Sequence, residues 1–218
     1  MFVISTRDLR LLPDVDNLRR TLQSMAMLDA ILSRDWEFRY YSFNTAWTAD
    51  EQLGSMRNGS GDEFFAHFSS AGCWLKGFDH ECAMTPYREH PPRLWPGVLE
   101  GIPAEFADCM SEPAFSVQNT TFCIYRRYRE STWQIGPVVF PPAKTDPDGS
   151  VFLLSPLDGR PESYHSWAEQ YYEQTLDFPA ITDVYAHRPL TQEIVKRLNP
   201  KTSLNELASD IGEIGYPQ

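Results

Sequence analysis

Residues 62–81, DEFFAHFSSAGCWLKGFDHE, decide the fold because they contain two apolar runs separated by a short stretch of small residues. Pairing Phe68 with Cys73 and Ala66 with Leu75 places the apolar partners on one face of an antiparallel hairpin. A shift of one residue would move these side chains to opposite faces, which a half-buried sheet does not tolerate. The stretch therefore predicts a hairpin in a single register, closed by the loop SSAG.

The same register brings acidic side chains to the open end of the hairpin. Asp62 lies opposite Asp79, and like charges directly across a strand pair repel each other. A bound cation would offset this repulsion, and so would a proton shared between the carboxylates, which would make the pair an acid/base device. The remaining alternative is that both carboxylates point into water. The candidate ligand or cation site comprises Asp62, Glu63, Asp79, His80, Glu81 and Arg57.

The second face of the hairpin carries large flat side chains. His67 falls opposite Trp74, beside Phe65 and Lys76. Such a face is either covered by another element or left open as a binding patch, since aromatic side chains are typical of both cores and partner surfaces. The candidate interaction surface comprises Trp74, His67, Phe65, Tyr41 and Trp47.

The segments before the hairpin show two different periodicities. Apolar residues recur at helical spacing behind Asp14, whose carboxylate can cap free backbone amides, so residues 14–33 are predicted to form an amphipathic helix. Trp36, Phe38 and Tyr40 then alternate with charged residues, which predicts a strand.

The rest of the chain contains loops, a second hairpin and short helices. Five prolines between residues 82 and 103 predict a loop-rich crossing, followed by a short helix at 104–110. Apolar residues near 122–124 and 133–135 indicate the second hairpin. A helix should begin at Pro161, and residues 180–212 should form two or three short helices.

The order of helix, antiparallel strands and helices predicts an α+β fold with the C-terminal helices packed on the sheet, rather than a parallel βαβ fold. The length fits a single domain of residues 1–218. Residues 160–218 either dock on the sheet or form a helical subdomain.

Charge restricts the class of partner. The chain has 30 acidic and 19 basic residues, a formal net charge of -11. Nucleic acid and anionic membranes would repel it, whereas a basic protein or a cation would be attracted. The same acidity also keeps a protein soluble. Arg126, Arg127 and Arg129 form the basic cluster of the sequence, for which pairing with the chain's own carboxylates is predicted and binding of an acidic ligand is the alternative.

Several absences in the sequence are informative. The sequence has neither the apolar core of a signal peptide nor a run of membrane-spanning length, and its cysteines show no CxxC spacing. These observations predict a cytoplasmic protein with reduced, buried thiols. No stretch matches a nucleotide-binding loop, a zinc framework, a nucleophile elbow or a nucleic-acid module, so no cofactor is expected.

Three stretches resemble a pattern in uncharacterised bacterial cytosolic proteins: YYSFN at 40–44 followed by Trp47, SMRNGSGDE at 55–63, and KGFDHE at 76–81. The resemblance covers the middle third of the chain and implies neither an activity nor a site residue. In general character the chain is similar to bacterial immunity proteins, which are small, acidic, α+β and without catalytic motifs.

Charge, aromatic content and the lack of catalytic motifs favour a bacterial cytosolic interaction protein. Such a protein would neutralise a basic toxin or enzyme through an acidic, aromatic-rich surface. The alternative is an enzyme or a metal-dependent ligand binder that uses the carboxylates and His80 at the open end of the hairpin. The oligomeric state stays open.

Overall fold

The computed structural model describes residues 3–142 and 145–218, and its centre is a six-stranded antiparallel sheet whose strands neighbour each other in chain order. The strands are β1 (Tyr41–Asn44), β2 (Gln52–Arg57), β3 (Glu63–Ser69), β4 (Gly72–Phe78), β5 (Phe122–Arg127) and β6 (Gln134–Ile135). Together with helices on one side, this sheet confirms the predicted α+β class.

The β3–β4 hairpin has the predicted register. Phe68 pairs with Cys73, and the side chains of both residues lie in the core that also contains the helices. Strand β4 pairs in turn with β5, where Leu75 lies opposite Ile124. The second predicted hairpin is also present, since Ile124 lies opposite Ile135 of β6. Matching of the apolar partners on one face leaves a single register for β3 and β4, which is why the sequence was sufficient to predict it. For the β5–β6 hairpin the sequence predicted the pairing but not its register.

The predicted amphipathic helix is α1 (Val15–Leu32). It begins at Asp14, whose Oδ1 accepts a hydrogen bond from the Asn17 backbone N–H at 2.9 Å and satisfies one of the free amides of the first turn. Leu22 of the helix packs directly on Gly54 of β2. A Cβ added at Gly54 would lie 2.8 Å from Leu22 Cδ1, so the glycine allows the helix to approach the sheet closely.

The strand predicted at Trp36, Phe38 and Tyr40 is wrong. Residues 36–38 form a single 3₁₀ turn, and the Trp36 and Phe38 side chains are 61% and 55% exposed. The Arg39 N–H closes the turn by donating to the Trp36 carbonyl at 3.0 Å. Directly after the turn, the Asp29 carboxylate accepts hydrogen bonds from the backbone N–H groups of Tyr40 and Tyr41, both at 2.8 Å. These bonds hold the chain beside α1 until Tyr41, where β1 begins.

The C-terminal part forms short helices that pack on α1 and on one face of the sheet, as predicted. Buried side chains such as Tyr164, Ile181 and Val195 belong to the same hydrophobic cluster as α1 and the inner side chains of the strands. The helices are α2 (Ser150–Leu154), α3 (Pro161–Tyr171), α4 (Phe178–Tyr185), α5 (Gln192–Leu198) and α6 (Ala208–Ile214).

The second face of the sheet is covered by the connection between β4 and β5. This connection is a loop-rich layer with short 3₁₀ turns, and it contributes Met84, Phe106 and Phe115 to a second hydrophobic cluster. The Phe115 ring lies against Trp74 and Phe65 of the sheet, with ring centroids 5.5 and 5.6 Å apart. The sheet is therefore enclosed between a helical layer and a loop-rich layer.

This cover requires a correction to the candidate interaction surface. Trp74 is 0% exposed, Phe65 and His67 are buried beside it, and Tyr41 is buried on the helical face. Trp47 is partly buried, with its ring stacked on Phe115 at 6.1 Å. Both faces of a sheet this apolar need a cover, so these aromatic residues form cores and do not present a binding surface.

Two further expectations concern the thiols and the membrane. All four cysteines are free and buried, which confirms the prediction of reduced, buried thiols. Among the helices of residues 3–142 and 145–218, none combines the length and the apolar composition that a membrane span requires.

Asp29 provides a test of the packing between α1, β1 and α3. Besides the two N–H groups of Tyr40 and Tyr41, its carboxylate accepts a hydrogen bond from the Tyr164 hydroxyl at 2.6 Å. Asp29→Ala leaves all three donors without a partner. Because each unsatisfied buried group costs about 1–3 kcal/mol, we expect the free energy of unfolding to fall by about 3 kcal/mol or more in urea titrations.

The isosteric Asp29→Asn variant separates hydrogen bonding from charge. Burial raises the pKa of Asp29 from 3.8 to about 6. The folded state therefore binds a proton more readily than the unfolded state, and stability should fall as pH rises between these two values. Over this range the wild type should lose about 3 kcal/mol relative to Asp29→Asn. Parallel pH profiles for the two proteins would contradict this assignment.

Candidate functional site

The structure brings together three of the six residues predicted for the open end of the hairpin. Asp62 directly precedes β3, whereas Asp79 and His80 directly follow β4. One carboxylate oxygen from each aspartate and one ring nitrogen of His80 lie within 4.8 Å of one another. We refer to these three residues as the Asp–His cluster.

Within the Asp–His cluster, Asp62 and His80 form an ion pair. Asp62 Oδ1 lies 2.6 Å from His80 Nδ1 and accepts the His80 backbone N–H at 2.9 Å, while Oδ2 accepts a hydrogen bond from Asn58 Nδ2 at 2.6 Å. Burial acts to raise the pKa of Asp62, but these hydrogen bonds outweigh it and lower the pKa. The hydrogen bond to Asp62 raises the pKa of His80. The pair offsets the repulsion expected between Asp62 and Asp79 without requiring a cation.

Asp79 is held differently from Asp62. Its Oδ1 accepts the backbone N–H groups of Glu81 and Cys82, both at 2.9 Å. Burial raises the pKa of Asp79, and the charge of Asp62 acts in the same direction. The backbone of Gly149 (φ 75°) lies close against this side chain, since a Cβ added at Gly149 would lie 2.2 Å from Asp79 Cβ. Of the two aspartates, Asp79 is therefore the one whose environment favours a proton.

The other three predicted residues lie outside the Asp–His cluster. Glu63 Oε1 accepts a hydrogen bond from the fully buried Lys76 at 3.0 Å, and Arg57 lies on the far side of Glu63 at 3.7 Å. Glu81 is exposed, and its carboxylate approaches His80 only to 3.9 Å. The Glu63–Lys76 pair was missed, although the lysine in the apolar run of β4 was a signal that a carboxylate must lie near it.

Three exposed aromatic side chains lie in and beside the 3₁₀ turn at residues 36–38. Trp36, Phe38 and Tyr171 are all exposed, Tyr171 by 39%, and the Tyr171 hydroxyl donates a hydrogen bond to the Phe38 carbonyl at 3.2 Å. We call these three residues the aromatic patch. Tyr40 packs beside the patch, since its ring centroid lies 5.1 Å from that of Tyr171. Burial, together with the charge of Asp62, raises the pKa of Tyr40 to about 12.

The structure also joins Cys109, His67 and Glu51, which sequence reasoning missed. Cys109 Sγ lies 3.3 Å from His67 Nδ1, and His67 Nε2 lies 3.3 Å from a Glu51 carboxylate oxygen. Thiol, imidazole and carboxylate in this order are the parts of a nucleophilic triad. His67 and Cys109 come from β3 and from the loop-rich layer, so no local spacing could have identified them.

The environment of Cys109 does not favour nucleophilic chemistry. Burial raises the pKa of the thiol to about 12, and the negative charge of Glu51 acts in the same direction. The adjoining cavity measures only about 60 Å³. In this conformation the thiol is protonated and enclosed, so its contact with His67 is a packing hydrogen bond.

The basic cluster is divided between the two sides of β5. Arg127 forms an ion pair with Glu130 at 2.6 Å, and Arg129 forms one with Glu105 at 3.2 Å, as predicted. Arg126 departs from that prediction, because it forms no ion pair within residues 3–142 and 145–218. Its Nε donates instead to the Glu130 carbonyl at 3.1 Å.

Comparison with protein-family models, with curated proteins and with solved structures found no match to this chain.

The ion pair of the Asp–His cluster is testable by NMR titration. In Asp62→Asn, the pKa of His80 should fall toward its ordinary value of 6.5, because the hydrogen bond to the Asp62 carboxylate is the main cause of the raised value. The stabilising contribution of protonated His80, present below pH 6.5 and lost as pH rises through the folded pKa, should disappear with it.

Asp79→Asn is the matched control for this titration. It removes one negative charge beside the same imidazole, but the Asp79 charge is the weakest of the influences on the pKa of His80. The His80 pKa should therefore fall less than in Asp62→Asn. Equal decreases in the two variants would show that general acidity, and not the specific pair, sets the titration of His80.

Proposed function

We propose that this protein binds a basic protein partner through the aromatic patch and the acidic residues around it. The observation that supports this most directly is the exposure of three large aromatic side chains in and beside the 3₁₀ turn, with Trp36 at 61%, Phe38 at 55% and Tyr171 at 39%. Tryptophan and tyrosine are the residue types that most often dominate the binding energy of protein interfaces. This surface replaces the buried aromatic residues that the sequence had indicated.

Contacts within the chain hold the Tyr171 ring and the backbone of the 3₁₀ turn in place. Tyr171 stacks on Trp167 at 5.2 Å with an interplanar angle of 14°, and its hydroxyl binds the carbonyl of Phe38. Arg39, directly after the 3₁₀ turn, donates to the Ser33 carbonyl at 2.9 Å. A surface that is already ordered loses less conformational entropy on binding, which favours affinity.

Charge near the aromatic patch favours a basic partner. The arginines at this end of the molecule are neutralised, since Arg34 pairs with Glu206 and Arg39 with Asp210. Asp35 and Glu37 border Trp36 and form no ion pair within the described part of the chain. On a protein of net charge -11, this arrangement would speed encounter with a basic surface.

The partner class that fits these properties is a basic toxin or enzyme whose activity is blocked on binding, as in bacterial toxin–immunity pairs. An acidic, preordered aromatic surface supplies the two requirements of such an inhibitor, which are fast electrostatic encounter and a few strong anchors. The proposal therefore keeps the function indicated by the sequence and assigns it to different residues.

The double variant Trp36→Ala, Phe38→Ala tests the proposal in affinity capture from bacterial lysate at low salt. The wild type should retain a basic protein at fixed stoichiometry and release it as salt rises. The double variant should retain at least about tenfold less, because each interface anchor contributes about 2 kcal/mol or more. Both side chains are exposed, so the melting temperature should stay within a few degrees of the wild type.

The matched control is Tyr87→Ala, which removes an aromatic side chain of 57% exposure from the loop-rich layer. It should retain the partner as the wild type does. Capture of the same proteins by all three forms would mean that the aromatic patch is not the binding surface.

A second candidate function is metal-dependent ligand binding at the Asp–His cluster. The specific observation in its favour is the approach of two carboxylates and one imidazole to within 4.8 Å. Imidazole and carboxylate ligands together suit Zn²⁺ or Mn²⁺. Binding would have to displace the proton shared by Asp62 and His80, so affinity should rise with pH.

Titration of Zn²⁺ by calorimetry tests this second function. Asp79→Asn should abolish the binding seen with the wild type, because it removes one of the three ligands. Glu81→Gln should leave binding unchanged, since Glu81 lies outside the Asp–His cluster while carrying the same charge nearby. Indistinguishable titrations of the wild type and Asp79→Asn would exclude a metal site at this cluster.

A further inference from the structure

The turn between β2 and β3 contains the only Asn-Gly pair of the sequence, Asn58 and Gly59. Gly59 and Ser60 are exposed, and Gly59 has φ 72°, a left-handed conformation that glycine adopts without strain. Apart from its two chain neighbours, nothing lies within 4 Å of the position that a Cβ would take at Gly59. The backbone nitrogen of Gly59 is therefore neither covered by the fold nor shielded by a side chain of its own.

An asparagine side chain can react with the backbone nitrogen of the next residue. The nitrogen loses its proton to solvent base and forms a bond to the asparagine Cγ, while the bond from Cγ to Nδ2 breaks. Nδ2 takes a proton from water and leaves as ammonia. Water then opens the resulting cyclic imide at either carbonyl, which gives aspartate or isoaspartate. A side chain on the second residue hinders the approach of the nitrogen, so glycine at that position favours the reaction.

Two backbone donors hold the side-chain carbonyl of Asn58. Its Oδ1 accepts the N–H groups of Ser60 at 2.9 Å and of Asp62 at 3.0 Å. The bond from Ser60 closes a ring of atoms that contains both the Asn58 Cγ and the Gly59 nitrogen, so the two reacting atoms are kept within one tight turn. Attack on Cγ places negative charge on Oδ1, and the same two donors stabilise that charge.

The nitrogen that leaves and the nitrogen that attacks are also placed for this reaction. Asn58 Nδ2 donates to Asp62 Oδ2 at 2.6 Å, which fixes the amide with its Oδ1 toward the two backbone donors. The Gly59 N–H donates no hydrogen bond within residues 3–142 and 145–218. A nitrogen without an acceptor loses no hydrogen bond when it attacks, so the fold adds no cost at this step.

We propose that Asn58 is a site of deamidation in the folded protein, with water as the co-reactant. The product carries a carboxylate in place of the carboxamide. Asp62 then loses the hydrogen bond from Nδ2 and faces a like charge instead, so the Asp–His cluster gains negative charge at its edge. This modification requires neither a basic partner nor a metal.

Peptide mapping by mass spectrometry tests the proposal on the folded, full-length protein after incubation at mildly alkaline pH. The peptide that contains Asn58 should gain the mass difference between an amide and an acid. The peptides that contain Asn119 and Asn205 should stay unchanged, because residues with side chains follow both asparagines. The rate should rise with pH, since the attacking nitrogen must lose its proton. The chain unfolded in guanidinium chloride is the positive control for the chemistry.

Three variants separate the reaction from other changes in the turn. Asn58→Gln keeps an amide, but attack would close a larger and less favoured ring, so no mass change should appear over the same interval. Gly59→Ala adds a methyl group beside the attacking nitrogen and should slow the conversion about tenfold or more. The matched control is Ser60→Ala, which removes an exposed hydroxyl but keeps the backbone donor to Oδ1, and it should react as the wild type does.

The product can be isolated because its additional negative charge delays it on anion exchange. Asn58→Asp is the standard for the aspartate form. Both should melt about 2–4 °C below the wild type, because Asp62 has lost a donor and gained a like charge.

Two results would overturn the proposal. One is an unmodified Asn58 in the folded protein after an interval in which the unfolded chain has been converted. The other is conversion of Asn119 or Asn205 as fast as that of Asn58, which would mean that the turn confers no reactivity. Equal melting temperatures of the wild type and Asn58→Asp would overturn the predicted effect on the Asp–His cluster.

Discussion

The arrangement of the helical layer depends on the hydrogen bonds that the buried Asp29 carboxylate accepts. From the last turns of α1 it binds the two N–H groups at the start of β1 and the hydroxyl of Tyr164 in α3. A carboxylate can accept all three hydrogen bonds at once, whereas an apolar side chain of the same size would leave the start of β1 unsatisfied. These bonds hold the chain at the point where it enters the sheet, directly after the exposed 3₁₀ turn.

The sequence was sufficient for the elements whose environment is set by neighbours in the chain. The register of β3 and β4 follows from alternation across one short loop, and α1 follows from its apolar stripe and its cap at Asp14. The alternation at Trp36 and Phe38 wrongly predicted a strand. The competing interaction comes from Asp29, which lies earlier in the chain in α1 and binds the backbone just after these residues. Periodicity describes a local preference, and a buried charge can override it.

The candidate sites were predictable to different degrees for the same reason. The approach of Asp62 and Asp79 follows from the hairpin register alone, but the choice of His80 as partner depends on how the chain turns after β4. The pairings of Cys109 with His67 and of Arg129 with Glu105 require elements that are distant in sequence to pack together. No spacing in the sequence encodes these contacts, so only the assembled fold makes them visible.

The loop-rich layer has a property that follows from where it joins the sheet. Residues 79–121 leave the sheet after β4 and return at β5, which is its immediate neighbour, and the Thr121 N–H binds the Gly77 carbonyl at 2.8 Å where the two ends meet. The described residues of this layer contain no strand, so the layer is held to the sheet mainly by side-chain packing, in which Phe106 and Phe115 share a hydrophobic cluster with Trp74. Cys109 belongs to the layer and His67 to the sheet. The burial of the Cys109 thiol therefore depends on the packing between the layer and the sheet.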